Sequence, residues 1–371
     1  MNLKKSLVAA GAAALLALSL GGCASQSKND PQPEPAQEAV NQVTDAYGRT
    51  VELPAQVETA ATVGSGARFV VYAGGQDKLI AVTDMETEPS PARPYTEVYA
   101  EEFASLPSTS NGNHLMETSV DTEKLLELNP DVIISSRSAE ECDQLQNQIG
   151  IPVVGISYQN NLFSDDVYTS IEVVGKALGT SEHAENVVES MKGWKSDLEA
   201  RTASIPDENK PSVYTGAVNF KGAKSFGGTY AQYAPFEAAN VDNVADQTGQ
   251  KGSFDIDLEQ LAEWNPDIMF LNAGNIDLMK KDYENNAELF DSLDAFKNGR
   301  LYTQPSFNFN GTNVEMGICD AFFVGATVYP EAFADMDLPA KYDEVFSTML
   351  GKDYYGTMKS LGMDFKRISF N

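Results

Sequence analysis

Four cations, Arg68, Arg137, Lys221 and Lys224, lie in Gly- and Ser-rich stretches of a 371-residue chain that carries 54 acidic and 26 basic side chains, a formal charge of −28. In so acidic a protein the few basic loop residues are informative. Together they suit an anion, or anionic groups on a larger ligand, although any one of them can be a solvated loop charge. The same acidity argues against nucleic acid and against a polybasic membrane footprint. Asn275 and Asn310 add amides. Phe307 and Phe309 can flank a planar ligand or belong to a core. His114 and Met116, with Tyr95, Tyr99 and Tyr230, compose an axial set for haem, against the plainer reading of exposed loop side chains. Two histidines and no CxxC or Cys/His cluster exclude a His-rich zinc or manganese site, so a chelated metal fits better than a naked one.

These residues must be held by something, and one stretch occurs twice. Asp121 to Ile134 reads DTEKLLELNPDVII and Asp257 to Phe270 reads DLEQLAEWNPDIMF, 136 positions on, with seven of fourteen positions identical. Each copy predicts a short helix with an acidic first turn, a stop at Asn-Pro-Asp, and an apolar strand covered on both faces. A period of 136 is far beyond a solenoid unit of ~20 to 50 residues. It suits a duplicated α/β lobe.

The N-terminus, residues 1–22, has Lys4 and Lys5, an apolar run from Leu7 to Leu20, and small residues, the three-part pattern of a secretory signal too short to span a membrane. Residues 23–42 are polar and Pro-rich and read as a tether. The first lobe covers 43–164: a hairpin from Val43 to Pro54, a βαβ unit from Ala60 to Val82, a long weakly patterned loop from Asp84 to Leu115, and the first repeat. Residues 165–204 read as a helical connection broken at Gly179-Thr180, and 205–371 as the second lobe. Met316 to Tyr329 reads as a terminal core helix. Cys142 and Cys319 are expected as free buried thiols, since a bond between lobes would clamp them.

The paired units in which a Glu precedes the Pro by seven positions, the long helix between them, the opening DAYGRTVELP and the cleavage region Leu20-Gly21-Gly22-Cys23 resemble the class III substrate-binding lipoproteins of ABC importers, from Val43 to about Leu350. The resemblance implies an α/β fold of two Rossmann-like lobes joined by a long backbone helix, with ligand in the cleft. The loops after Val63, Ile134, Thr215, Leu271 and Thr303 then face that cleft. They carry Arg68, Arg137, Lys221, Lys224, Asn275, Phe307, Phe309 and Asn310; Tyr95, His114 and Tyr230 complete the expected ligand-binding set.

It further implies a ferric siderophore, haem or cobalamin as cargo rather than a resident cofactor, and a lipid on Cys23 anchoring the protein outside the cytoplasm. An arginine pocket on each permease subunit would receive Glu123 and Glu259, and the chain is expected to be a monomer. No catalysis is expected. The alternatives are an oxyanion binder of molybdate type using Arg68, Arg137, Lys221 or backbone amides, and an extracellular hydrolase, for which no nucleophile elbow or Ser/His/Asp arrangement is present.

Overall fold

The computed structural model describes residues 41–111, 119–158 and 161–370. The leader, the tether as far as residue 40 with Cys23, and His114 with Met116 lie outside the described residues; the last two residues read as tether, Asn41 and Gln42, already belong to a strand.

A hairpin of β1 (Asn41–Thr44) and β2 (Thr50–Leu53) opens the chain. β3 (Ala60–Val63), α1 (Gly66–Tyr72) and β4 (Leu79–Ala81) make a parallel βαβ unit. Next come α2 (Asp84–Thr87), α3 (Pro94–Val98) and α4 (Ala100–Ala104), where the sequence reads as one long loop. Each is a turn or so, too short to show a helical period. They are nucleated by a Thr83/Glu86 capping box and by Pro94 in the first turn. β5 (Ser110–Asn111), β6 (Ser119–Val120), α5 (Thr122–Leu128), β7 (Val132–Ser135), α6 (Ala139–Ile149) and β8 (Val153–Gly155) complete a lobe whose parallel sheet has the order β4-β3-β7-β8.

α7 (Asp165–Leu178) and α8 (Ser181–Thr202) cross to the second lobe, separated by Gly179 in the left-handed conformation. There follow β9 (Val213–Gly216), β10 (Gly228–Ala231), α9 (Ala234–Ala238), β11 (Gly252–Asp255), α10 (Leu258–Trp264) and β12 (Ile268–Asn272). The remainder is α11 (Ile276–Ser292), α12 (Asp294–Lys297), β13 (Leu301–Gln304), α13 (Val314–Val328), α14 (Leu338–Leu350), α15 (Tyr355–Ser360) and β14 (Lys366–Arg367). The sheet runs β14-β13-β12-β9, parallel except for β14. The sequence reading contains no α11. A break at Asn286 (φ −133°, ψ 29°) interrupts its apolar spacing.

Five of the seven repeated identities have structural roles. Asp121 and Asp257 cap their helices, accepting from the backbone N–H of Lys124 and Gln260, and Leu125 and Leu261 are fully buried. Asn129 and Asn265 end the helices at φ 46° and 42°, and the prolines prevent continuation. The closing aspartates staple each new strand to the start of its neighbour. Asp131 Oδ2 accepts from the backbone N–H of Glu58 (2.8 Å) and Thr59 (2.9 Å), and Asp267 Oδ2 accepts from the N–H and hydroxyl of Ser212 (2.8 Å each). Burial pushes the Asp131 carboxyl up, but these donors outweigh it and hold the group below its ordinary value. Asp131→Ala is therefore expected to lower stability by about 1–3 kcal/mol at neutral pH. Because the folded value is depressed, the loss should vanish as pH falls through it; urea unfolding at pH 7 and below pH 3 measures both. The remaining repeated residues, Glu123/Glu259 and Glu127/Glu263, are exposed.

One hydrophobic core runs through both lobes, joining Phe69 and Tyr72 of α1, Val174 of α7 and Met191 of α8 to Phe322 of α13 and Phe346 of α14. α13 is the core helix that its apolar sequence suggests, and it serves both lobes. Thirteen of its 15 residues are buried. Bonds across the lobes reinforce this seam: Tyr99 OH donates to Leu350 O (2.8 Å), Tyr354 OH to Pro91 O (3.1 Å) and Trp194 Nε1 to Glu344 (2.7 Å). Cys142 and Cys319, one on each side, are buried and free, as expected.

Candidate functional site

In the first sheet the chain leaves β3 for β4 on one side and returns to β7 on the other, so the loops after β3 and β7 diverge and open a crevice at the carboxyl ends of the strands. Gly64-Ser65 and Ser136-Arg137-Ser138 occupy it. Ser136 Oγ accepts from the Ser65 N–H at 2.8 Å, and Gly64, at φ 67°, leaves room for that hydroxyl, which a Cβ would meet at 2.3 Å. The crevice continues into a cleft of about 1320 Å³ between the lobes.

The opposite wall is made by Asn219–Ala223 after β9, by Tyr230 and Lys251–Ser253 on the β10–β11 pair, and by Asn308–Thr312 after β13. The loop after β9 is held in a strained form, with Ala217 at φ 59° and Lys221 at φ 48°. Buried Asn275 fixes it from behind, its Nδ2 donating to Ala217 O (2.9 Å), Asn219 Oδ1 (2.6 Å) and Lys224 O (2.9 Å).

Of the ten residues expected to bind ligand, Arg137, Lys221, Tyr230, Phe309 and Asn310 line this cleft. Four stand behind its walls. Arg68 belongs to α1 rather than to a loop and is 0 % exposed, its charge directed into the protein; Tyr95 is equally buried, its hydroxyl 3.4 Å from Glu86. Lys224 is drawn away by Asp255 (2.8 Å) and lies over the Phe220 ring. Asn275 shapes the loop from outside the cleft. Phe307 is buried against Tyr233. His114 lies outside the described residues.

The sequence reading missed Lys251, Tyr158 and Tyr47. Tyr47 reaches from the opening hairpin to donate to the carbonyls of Arg137 and Ile156 (2.9 Å each). Lys251 sits beside Gly249 and Gly252 in a segment that carries no strand pattern, and a cation in a Gly-flanked turn was the available signal.

Among the described residues the lining thus carries three cations, Arg137, Lys221 and Lys251, and one carboxylate, Glu141, which pairs with Arg137 at 3.6 Å. Around them are hydroxyls and amides (Ser65, Ser138, Asn219, Asn308) and the rings of Tyr158, Phe220 and Phe309. Arg137, Lys221 and Lys251 make the cleft locally positive in a protein of charge −28, so they favour an anionic ligand at short range, within about a Debye length. Among the described residues no histidine or cysteine lines the cleft, and no three His, Cys, Asp or Glu side chains gather as for a metal ion. Burial raises the Tyr230 phenol above its ordinary value, so in the unliganded protein it is a neutral hydrogen-bonding group on the cleft wall.

Glu123 and Glu259 are exposed in the first turns of α5 and α10. A smaller groove of about 410 Å³, lined by Ser119, Thr122, Ser135 and Arg137, joins the start of α5 to the carboxyl end of β7. α10 starts just after β11, whose Gly252 and Ser253 line the cleft. α5 and α10 each run back along their sheet to enter a parallel strand, β7 and β12, at its amino end, which puts their first turns, with Glu123 and Glu259, toward the carboxyl ends of the strands.

Known proteins share this sequence pattern and architecture. The profile of the family described as Periplasmic binding protein matches residues 61–306. A Bacillus subtilis protein named uncharacterized ABC transporter substrate-binding lipoprotein YvrC is 23% identical over 332 residues, covering 86% of this chain and 96% of its own. A periplasmic solute binding protein from Veillonella parvula superposes with a TM-score of 0.70 at 20% identity, over 87% of this chain and 97% of its own. The molybdate periplasmic binding protein MolA of Haemophilus influenzae, solved with molybdate bound, gives 0.64 at 20% identity, over 84% and 98%.

Proposed function

Because the chain belongs to the periplasmic binding protein family, we propose that it is the substrate-binding component of an ABC importer, held outside the cell membrane by a lipid on Cys23, and that its cleft takes a bulky chelate with several anionic groups: a ferric siderophore, haem or a corrinoid. The cleft itself carries the reading. Its volume exceeds the ~300–1,000 Å³ of ordinary small-molecule sites, and its three cations are spread over both lobes. A ligand must be large to meet Arg137 on one wall and Lys221 and Lys251 on the other. The rings of Tyr158, Phe220 and Phe309 supply apolar faces for a planar or aromatic chelator.

A second reading is an oxyanion binder. Its support is the likeness to MolA and the crevice at Ser65 and Ser136, where hydroxyls and backbone amides converge. Against it, one oxyanion would leave most of the cleft unfilled.

A thermal-shift panel of haem, cobalamin, ferric siderophores and molybdate separates the two. A chelate present at 100 times its Kd should stabilise the fold by about 2.7 kcal/mol and raise the midpoint by several degrees. Lys221→Glu combined with Lys251→Glu should remove that shift while leaving the unliganded midpoint in place, since both side chains are exposed. A shift with molybdate alone would establish the oxyanion reading instead.

A further inference from the structure

α1 belongs to the first lobe, yet one of its faces grips the segment of the second lobe that forms the cleft wall after β13. Arg68 and Tyr72, one turn apart, are both 0 % exposed. Arg68 Nη2 donates to Asn310 O at 3.1 Å, and Nη1 donates to the Tyr158 hydroxyl at 3.1 Å. Ser65 Oγ also reaches Asn310 O, at 3.5 Å. Tyr72 bonds the Glu315 carboxylate and accepts from the Val314 N–H at 3.2 Å.

The segment is shaped to receive the guanidinium. Asn310 and Gly311 have φ 52° and 93°, and a Cβ on Gly311 would stand 2.7 Å from both Arg68 Nη1 and the Tyr158 hydroxyl. Around the cation, the Tyr95 and Tyr158 ring centres lie 4.9 and 5.7 Å away.

We propose that Arg68 is a positioning residue for the cleft: it fastens the Asn308–Thr312 wall to Tyr158 of the opposite lobe, so that this wall is held as a fixed face against which a ligand is placed. A buried cation suits the task. Its bonds are charge-assisted and water does not compete for them. Removing it strands Glu86 and Glu315, both fully buried, which is why the test retains a charge or leaves Arg68 in place.

The functional meaning rests on the cleft being the binding site, whereas the test needs no ligand, so the two can fail separately. In a Cys23→Ser background, nitroxides are attached at Glu140→Cys on the first lobe and Phe309→Cys on the wall; a control pair joins Glu140→Cys to Lys221→Cys. Distance distributions are measured in the frozen state. Arg68→Lys, Gly311→Ala and Tyr158→Phe should each widen the Glu140–Phe309 distribution, about twofold for local release of one segment, and leave the control pair unchanged. Any one variant that folds decides the matter. An unchanged Glu140–Phe309 distribution overturns the proposal, and so does equal widening of both pairs, which would mean general loosening.

Discussion

Replacing Glu123 and Glu259 together by alanine is expected to abolish cellular uptake of whichever panel member binds, while the affinity and thermal midpoint of the purified protein stay within error of the parent. Asp121, Leu125, Asn129, Pro130 and Asp131 recur because cap, core contact, helix stop and strand staple each need that residue type. No such need accounts for Glu123 and Glu259, which are exposed at the cleft-bearing ends of both lobes. Their interaction with the helix dipoles amounts to ~0.3–1 kcal/mol each at low ionic strength, too little to explain a lost phenotype. A partner presenting a cation to each lobe would account for both. Each single variant should show partial loss, and undiminished uptake by the double variant would remove the docking assignment.

A second large effect is expected at Asp320. This carboxylate is 0 % exposed in the middle of α13, and neither of its oxygens has a hydrogen-bond partner among the described residues. Burial raises it well above the ordinary carboxylate value, so it is held neutral in the folded protein. In the unfolded chain it ionises near the usual ~3.9. The sign follows. Below that value both states carry the proton and Asp320 adds no pH dependence. As pH rises from there toward the folded value, unfolding releases a proton and stability falls by about 1.4 kcal/mol per pH unit.

Asp320→Asn, which keeps the shape and cannot ionise, should therefore gain on the parent as pH rises above the unfolded value of ~3.9, and stop gaining once the folded value is passed. Glu86 and Glu315 are also raised by burial, but they are common to parent and variant and cancel in the difference. Denaturant midpoints for the pair at several pH values provide the check; a constant difference would mean that Asp320 is ionised in the fold.

Much of the frame was legible because it depends on residue types with few substitutes. Asn before Pro favours a left-handed helix stop, found at Asn129 and Asn265, and the apolar run Val132–Ile134 just after such a stop is the buried strand that order suggests. The loops that line the cleft follow from that topology, which is how Arg137, Lys221 and Asn310 could be chosen. Arg68 escaped because sequence gives a side chain's place in the chain but not its direction. It follows the Gly64-Ser65 turn by three residues and looks like a loop cation, yet α1 begins at Gly66 and turns it inward. Lys251 escaped for the opposite reason. β11 is a short strand opening on a glycine, so nothing in its pattern announced a strand that would bring a lysine to the cleft.

The seam through α13 has a consequence for the transport cycle. Lobes that share one close-packed interior cannot swing wide apart without exposing Phe322 and Phe346 to water. Wide gaping is thereby suppressed, and if the chain serves an importer as proposed, release of its ligand calls for a push from the partner on which it docks.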